Sequence, residues 1–245
     1  MTAVEGDLAA PGRILRYGRS DDQWVEVSYP TGNVRGIAVL IHGGYWRTPF
    51  TAELMRPLVP SFLARGWVVA NVEYRRGDDG WAAMGEDLSG AMSSARSLAP
   101  TARVAIIGHS VGGQLALLAG HTGDAVIALA PVSDVTRGYQ EGIGDGAVAE
   151  FFRDSPAVRP DLYAAASPLA HLPPPAEVLV VHGRDDARVP FAHTRDYVEA
   201  ARAAGGDVDL IELTRLSHMD AIAPGAPHWP AVHAWLDERQ PPPIP

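Results

Sequence analysis

The segment RVAIIGHSVGGQLALLA, residues 103–119, decides the fold of this chain. A run of β-branched residues ends at a glycine-rich turn and residues with helical spacing follow at once, so the segment predicts a buried strand, a sharp turn and a helix. Gly108 and Gly112 flank Ser110, which lets neighbouring backbone approach the turn without a Cβ clash. A serine there can simply cap the helix. The strand before it and the helix after it favour instead a serine held as a nucleophile.

Short apolar strands alternate with helical segments along the rest of the chain. The predicted strands are residues 36–41, 68–72, 104–107, 126–129, 178–181 and 208–213, and the predicted helices are residues 52–65, 81–98, 114–120, 191–204 and 227–238. Such alternation predicts an α/β fold, with a mostly parallel central sheet and helices on both faces. A length of 245 residues suits a single domain over residues 1–245.

A few segments depart from this alternation. Residues 23–29 alternate apolar and polar side chains, which predicts an antiparallel edge strand. Residues 135–172 predict a short lid insertion, in which a glycine-rich loop is followed by short helices. The proline run 173–175 is expected to stiffen the return to the sheet and not to divide the chain. The tail, about residues 240–245, is expected to be disordered.

A serine nucleophile needs partners, because its hydroxyl is a weak nucleophile at neutral pH. A base must take its proton, and a third group must hold the base. His218 follows the last predicted strand and can reach back over the sheet edge, and Asp185 and Asp186 follow the strand before it. The order Ser, Asp, His is one that hydrolases with this turn use. The residues alone do not separate the two acids, and the unused one would cap a turn or pair with an arginine.

The carbonyl oxygen that a serine attacks becomes negatively charged, so the site needs fixed hydrogen-bond donors. Residues 42–46 read His-Gly-Gly-Tyr-Trp and follow the first core strand. Glycines allow the amides of such a loop to point inward. The predicted oxyanion donors are the amide of Val111 and the amide of Gly44 or Tyr45. A plain Gly-Gly turn beside core aromatic residues is the alternative.

The loop at residues 42–46, the turn around Ser110 and the downstream acid and histidine together resemble the kynurenine formamidase (arylformamidase) branch of the α/β-hydrolase superfamily and its small bacterial esterase relatives. The resemblance covers most of the chain and implies an α/β-hydrolase fold. Related hydrolases carry the loop pattern His-Gly-x-x-Asp-x-x-Val-Pro, which places the acid at Asp186 and leaves Asp185 as the alternative. Carboxylesterases and prolyl-oligopeptidase-like domains look similar.

Several side chains near strand ends are candidates for substrate contact. Trp46 can stack on an aromatic or acyl group, Tyr74 lies after a strand that ends near the site, and Asp134 either contacts substrate or caps the lid turn. Arg75 and Arg76 are expected to form surface salt bridges. An arginine inside the pocket would instead select a substrate carboxylate.

The composition argues against several classes of function. The chain has 29 acidic and 20 basic residues, a net charge of -9 that repels nucleic acid. It has no cysteine, no histidine spacing typical of a metal site and no phosphate-binding loop, so no metal and no cofactor are expected. The first residues do not have the pattern of a signal peptide, and the apolar runs are far shorter than about 20 residues. We therefore expect a cytoplasmic protein without a membrane partner.

The expected function is hydrolysis of a small carboxylic ester or an activated amide such as a formamide, through an acyl-enzyme on Ser110. One alternative is a peptidase of the prolyl-oligopeptidase kind acting on small peptides, although 245 residues leave no room for the large extra domain that such enzymes usually carry. Another is a ligand-binding protein that has lost catalysis. The presence of serine, histidine and aspartate at the expected positions favours an enzyme.

Overall fold

One eight-stranded sheet forms the centre of the structure, a computed structural model that describes residues 12–239. Its strands are β1 (Arg13–Arg16), β2 (Trp24–Ser28), β3 (Gly36–Ile41), β4 (Trp67–Glu73), β5 (Val104–His109), β6 (Ala125–Leu129), β7 (Glu177–Gly183) and β8 (Val208–Leu213). They lie in the order β1-β2-β4-β3-β5-β6-β7-β8. Strands β3 to β8 are parallel, and β1 and β2 are antiparallel to their neighbours. The predicted fold class is confirmed.

Helices cover both faces of the sheet. Those outside the segment between β6 and β7 are α1 (Val59–Leu63), α2 (Gly80–Ser97), α3 (Val111–Ala119), α7 (Phe191–Ala203) and α8 (Trp229–Glu238). Successive residues of β3 point to opposite faces: Ile37 and Val39 pack in the core with α2, α3 and α7, whereas Ala38 and Leu40 pack with α1 and α8. Because both faces are buried, the core strands are continuous apolar runs without alternation.

The antiparallel side of the sheet differs from expectation. β2 forms within residues 23–29 as predicted, but it pairs with β1 on one side and β4 on the other. The edge position belongs to β1. This strand has four residues that are mostly exposed, so it lacks the apolar pattern that would predict it.

The helix expected over residues 52–65 is broken. The segment contains the 3₁₀ turns Ala52–Leu54 and Arg56–Leu58 before α1. Pro57 and Pro60 lie within it, and each removes a backbone donor that a continuous helix would need. The prediction of one long helix was therefore wrong.

Between β6 and β7 the chain forms a helical insertion made of α4 (Val135–Glu141), α5 (Ile143–Phe152), α6 (Pro160–Ala166) and the 3₁₀ turn Pro168–Ala170. Of the glycines expected in a loop, Gly138 lies inside α4 instead. Gly142 ends α4 with a φ of 65°, and Gly144, Asp145 and Gly146 have φ values of 65°, 58° and 80°, which kinks the start of α5. That the insertion acts as a lid stays a prediction.

The proline run leads directly into β7, which is hydrogen-bonded in the same sheet as β6. The bond between Leu172 and Pro173 is cis. Between residues 12 and 239, no helix is long and apolar enough to cross a membrane. The tail that is expected to be disordered lies outside the described residues.

The turn between β5 and α3 is packed directly against the end of β3. A Cβ atom on Gly108 would lie 2.0 Å from the carbonyl oxygen of Gly112, and a Cβ atom on Gly112 would lie 2.0 Å from the carbonyl oxygen of Ile41. Both contacts involve backbone, which cannot move aside as a flexible side chain can. The two glycines are therefore required by close approach of the chain to itself.

We expect Gly112→Ala to lower the free energy of unfolding by about 3 kcal/mol or more, because the new methyl group forces backbone apart in a packed core. Urea unfolding measures the change. The control is Gly85→Ala in the interior of α2, where a Cβ atom would meet nothing within 4 Å. There alanine should stabilise by about 0.5 to 1 kcal/mol. Equal stability of the two variants would contradict the packing described here.

Candidate active site

Ser110 lies in a strained backbone conformation at the start of α3. Its φ of 57° and ψ of -117° are unusual for a residue with a side chain. The strain is held by hydrogen bonds on both sides of the turn: the Ser110 amide donates to the Leu129 carbonyl at 2.9 Å, and the Ser110 carbonyl accepts from Gln114 at 3.0 Å. The hydroxyl makes no capping bond to α3. The geometry is thus that of a strand-to-helix elbow, and the hydroxyl is not used as a helix cap.

His218 lies on the loop after β8 and is tied to two other elements. Its ring Nδ1 lies 2.7 Å from Asp186 Oδ2. Its backbone carbonyl accepts a hydrogen bond from His109 Nε2 at 2.9 Å, and the two imidazole rings have centroids 4.5 Å apart. Since His109 immediately precedes Ser110, the loop that carries His218 is anchored one residue away from the serine.

Asp186 is almost fully buried and is surrounded by donors. Its Oδ1 accepts from the amides of Arg188 and Val189 at 2.7 and 3.0 Å. Its Oδ2 accepts from His182 at 3.1 Å as well as from His218. Burial raises the pKa of Asp186, but the hydrogen bonds from the two histidines outweigh burial and hold the pKa well below its ordinary value. The carboxylate is therefore ionised at neutral pH.

Asp185, the alternative acid, has a different partner. Its Oδ1 accepts from the amide of Leu216 at 2.8 Å, two residues before His218 in the chain. Asp185 thus shapes the histidine loop through the backbone, while Asp186 contacts the imidazole itself. Asp186, the acid that the resemblance implied, is the one of the two in hydrogen-bond contact with His218.

The His-Gly-Gly-Tyr-Trp loop packs against the elbow. A Cβ atom on Gly43 would lie 2.9 Å from the Ser110 Cβ atom, so the loop passes directly over the serine. Gly44, Tyr45 and Trp46 have φ values of 128°, 57° and 58°, a run of three residues in the left-handed region. Such a run turns successive amides away from regular hydrogen bonding.

The amides expected to bind an oxyanion are free of internal partners. Among the turn, loop and cap hydrogen bonds of residues 12–239, none has the amide of Gly44, Tyr45 or Val111 as its donor. Oxyanion stabilisation requires hydrogen-bond donors that are not already used, and these free amides lie close to Ser110. That these amides form the oxyanion hole stays a prediction.

A buried polar network lies behind this loop, and sequence reasoning missed it. Glu73, at the end of β4, accepts from His42 Nε2 at 3.0 Å, from the Ala52 amide at 2.9 Å and from Arg76 Nη1 at 2.6 Å. Burial raises the pKa of Glu73, but the hydrogen bond from His42 and the other donors bring it below its ordinary value. The carboxylate therefore joins the first residue of the loop to β4.

Tyr74 and Arg76, both buried, belong to the same network. The Tyr74 hydroxyl donates to the His42 carbonyl at 2.7 Å, and its ring stacks on His42 with centroids 4.4 Å apart. Arg76 was expected on the surface, but it is 4% exposed and also donates to the Thr48 carbonyl. That expectation was wrong, because the buried Glu73 carboxylate needs a cation. Arg75 forms a salt bridge as expected, but with the buried Asp87 at 2.7 Å.

The other candidates for substrate contact lie toward the insertion. Trp46 is 2% exposed and stacks on Phe151 of α5, with ring centroids 5.7 Å apart. Asp134 accepts from the Arg137 amide at 3.0 Å and so caps α4, the alternative that the sequence allowed. Contact of Trp46, Tyr74 or Asp134 with substrate stays a prediction.

A cleft of about 370 Å³ begins at the loop of residues 42–46, and Ser110 and His218 are not among the residues that line it. Tyr45, Trp46 and Phe151 supply its aromatic walls. Its rim carries two ion pairs between the insertion and the core, Arg47 with Glu150 at 2.6 Å and Arg153 with Asp78 at 2.8 Å. Within residues 12–239, no three His, Asp or Glu side chains cluster as metal ligands would.

Sequence reasoning also missed specific partners of His109 and His182. Each contacts the His218–Asp186 pair from a different strand. Burial, with the nearby His218 charge, lowers the pKa of His109 to about 3, so this ring is neutral at neutral pH. In the sequence, only their positions were a signal: His109 directly precedes Ser110, and His182 lies four residues before Asp186.

Comparison with solved structures shows the same fold in several hydrolases. A carbohydrate esterase from gut microbiota, in truncated form, has a TM-score of 0.81 at 16% identity over 96% of this chain and 98% of the other. An esterase of the Planctomycetes species Thermogutta terrifontis has a TM-score of 0.73 at 20% identity over 95% and 96%. A putative thioesterase from Silicibacter sp. TM1040 has a TM-score of 0.72 at 24% identity over 89% and 82%. At these identities the likeness shows the fold alone.

Sequence comparison gives the family. No curated protein is significantly similar in sequence to this chain. A family model, described as the prolyl oligopeptidase family, matches residues 58–229, which is more than half of the chain and spans the elbow, Asp186 and His218. The chain therefore belongs to the prolyl oligopeptidase family, within the α/β-hydrolase superfamily.

Proposed function

We propose that this protein is a serine hydrolase that cleaves a small carboxylic ester or an activated amide through an acyl-enzyme. The observation that carries the proposal is the 2.7 Å contact between His218 Nδ1 and Asp186, on a loop that His109 anchors beside Ser110. An ionised acid, an oriented imidazole and a strained serine are the parts that such chemistry needs. Membership of the prolyl oligopeptidase family supports the same chemistry.

The roles of the three side chains follow from hydrogen-bond direction. Asp186 accepts from Nδ1 of His218, which leaves the Nε2 lone pair as the base for the Ser110 hydroxyl proton. The Ser110 oxygen attacks the substrate carbonyl, and His218 passes the proton to the leaving group as the bond to it breaks. Water then attacks the acyl-enzyme by the same proton path, releasing the acid and restoring the serine.

The negative oxygen formed in each step needs donors, and we assign this role to the amide of Val111 with that of Gly44 or Tyr45. The support is that these amides are free and that Gly43 packs on Ser110. The network of His42, Glu73 and Tyr74 would hold the loop in place while charge develops. Preorganised donors of this kind lower the barrier because no group has to reorient during reaction.

Solved structures of the same fold support a small substrate. The Thermogutta esterase is known in butyrate-bound and propionate-bound forms, which supports a short acyl group here. The resemblance to arylformamidases makes a formamide a further substrate of the same class.

A peptidase acting on small peptides is the second candidate, and the family match favours it. The chemistry of Ser110 would be unchanged, with an amine as leaving group. Screening p-nitrophenyl esters of graded length beside N-formylkynurenine and aminoacyl p-nitroanilides separates the candidates. We expect the highest kcat/KM with acetyl to butyryl esters. Hydrolysis of the anilides alone would favour the peptidase, and turnover of N-formylkynurenine above the esters would favour a formamidase.

Labelling with a fluorophosphonate probe tests the nucleophile. We expect covalent labelling of the wild type and none of Ser110→Ala, because the probe reacts only with an activated serine. The Thermogutta esterase phosphonylated by sarin is a precedent in the same fold. Ser89→Ala, an exposed serine of α2, is the control and should label normally. Absence of labelling in the folded wild type would point to a protein that binds ligands without catalysis.

Paired substitutions separate the two acids. Asp186→Asn should reduce kcat/KM about 10³-fold to 10⁴-fold, because the amide favours the wrong tautomer of His218. Asp185→Asn keeps an oxygen that can accept from the Leu216 amide, so we expect a loss of less than about tenfold. The measurement is kcat/KM on the best ester of the screen. A larger loss in Asp185→Asn than in Asp186→Asn would contradict the assignment.

A further inference from the structure

Asp186 Oδ2 accepts hydrogen bonds from two imidazole rings at once. One is His218, at 2.7 Å, and the other is His182, at 3.1 Å. His182 lies near the end of β7, is fully buried, and has no place in the proton path proposed for Ser110. A second buried histidine on the catalytic acid calls for a physical explanation.

The partners of His182 determine which ring nitrogen carries a proton. Its Nε2 faces two acceptors, Asp186 Oδ2 and the Val189 carbonyl, both at 3.1 Å. Its Nδ1 lies 2.7 Å from the Thr194 hydroxyl of α7, a group that can donate. In the neutral ring, every contact is satisfied only if Nε2 carries the hydrogen and Nδ1 accepts from Thr194. His182 is thus a donor to Asp186.

We propose that His182 is a positioning residue for the Asp186–His218 pair, which holds the carboxylate and withdraws part of its charge from His218. The inference rests on the proposed function for the roles of Asp186 and His218. The hydrogen bond fixes Oδ2, the one oxygen that His218 uses, whereas the Arg188 and Val189 amides fix only Oδ1. Each hydrogen bond that Oδ2 accepts also reduces the charge available to stabilise a protonated His218.

The sign of the effect follows from this arrangement. Without the His182 donor, more of the Asp186 charge faces His218, so His218 retains its proton to higher pH. The wild-type contact therefore makes more of the free-base form available at a given pH. A residue that only filled space would not shift this titration.

Other ionisable groups near the pair do not provide the same effect. His109 packs on His218 from β5, but its lowered pKa keeps it uncharged over the range in which histidines titrate. Asp185 is directed to the Leu216 amide. The Arg188 guanidinium lies over the Tyr45 ring, with its central carbon 5.9 Å from the ring centroid. The donors to Asp186 Oδ2 are the two histidines.

Three variants test the proposal against the wild type. His182→Phe keeps a planar ring but has no hydrogen-bond donor. His182→Gln places an amide donor near the position of Nε2. Thr194→Val removes the hydrogen bond to Nδ1 and leaves Nε2 with its two acceptors. The titration of the His218 imidazole is followed by NMR with histidine-labelled protein, and its signal is assigned from His218→Gln. This measurement needs no substrate.

We expect the His218 titration midpoint to rise by about 0.5 to 1 pH unit in His182→Phe, and to stay near the wild-type value in His182→Gln and Thr194→Val. With the best ester, the acid limb of the pH profile of kcat/KM for His182→Phe should move to higher pH as well. At high pH, where His218 is unprotonated, kcat/KM should be about tenfold lower than in the wild type, which corresponds to the loss of one net hydrogen bond. An unchanged or lower midpoint in His182→Phe would overturn the proposal, as would equal shifts in all three variants.

If His182→Phe does not fold, the tautomer of His182 in the wild type tests the proposal. The nitrogen chemical shifts of His182 distinguish its tautomers, and we expect the hydrogen on Nε2 at pH 8. A hydrogen on Nδ1 would overturn the proposal. Failure of fluorophosphonate labelling with normal NMR results would instead count against the proposed function, so the two failures are distinguishable.

Discussion

The close approach of Gly112 to the end of β3 is the contact on which the arrangement of the site depends. The Ile41 carbonyl lies where a side chain on residue 112 would have to be, so the elbow and the loop that begins at His42 share one packed surface. From this contact Gly43 follows directly over Ser110. Ser110 and the free amides beside it are therefore neighbours because two parallel strands, β3 and β5, lie side by side and end together.

Two buried carboxylates hold the site from opposite sides. Glu73 joins the loop of residues 42–46 to β4, and Asp186 joins the His218 loop to β7. Each would be costly to bury alone, and each is held ionised by several donors that include a histidine. A buried charge satisfied in this way accepts only particular positions of its neighbours, so it orients the loops around it.

The core strands, the elbow and the chain order of the three candidate catalytic residues could be predicted from local pattern. Apolar runs bounded by glycine or proline are a property of the segment itself, and they predicted β3 to β8 within one or two residues. The helix over residues 52–65 and the place of β2 in the sheet could not be predicted as well. The prolines of residues 52–65 break that helix, and β1, which has little apolar pattern, takes the edge position outside β2.

The partners of buried polar groups were beyond local pattern. His182 is four residues from Asp186 in sequence, but its tautomer depends on the two acceptors at Nε2, Asp186 and the Val189 carbonyl, together with the Thr194 hydroxyl at Nδ1. Arg76 was expected in solvent because arginines usually are, and only the folded chain shows the carboxylate that requires it inside.

By itself, the sequence determined the sheet, the strained turn and the residue types available for acyl transfer, since these depend on short-range sterics and hydrophobic spacing. The resemblance favoured Asp186, and only the tertiary structure shows why: Asp185 and Asp186 differ by one position but contact different partners, the Leu216 amide and His218. The tertiary structure also decided that His109 and His182 contact the Asp186–His218 pair. Hydrogen bonds between segments that are distant in sequence leave no pattern in either segment, so their partners are known only from the folded chain.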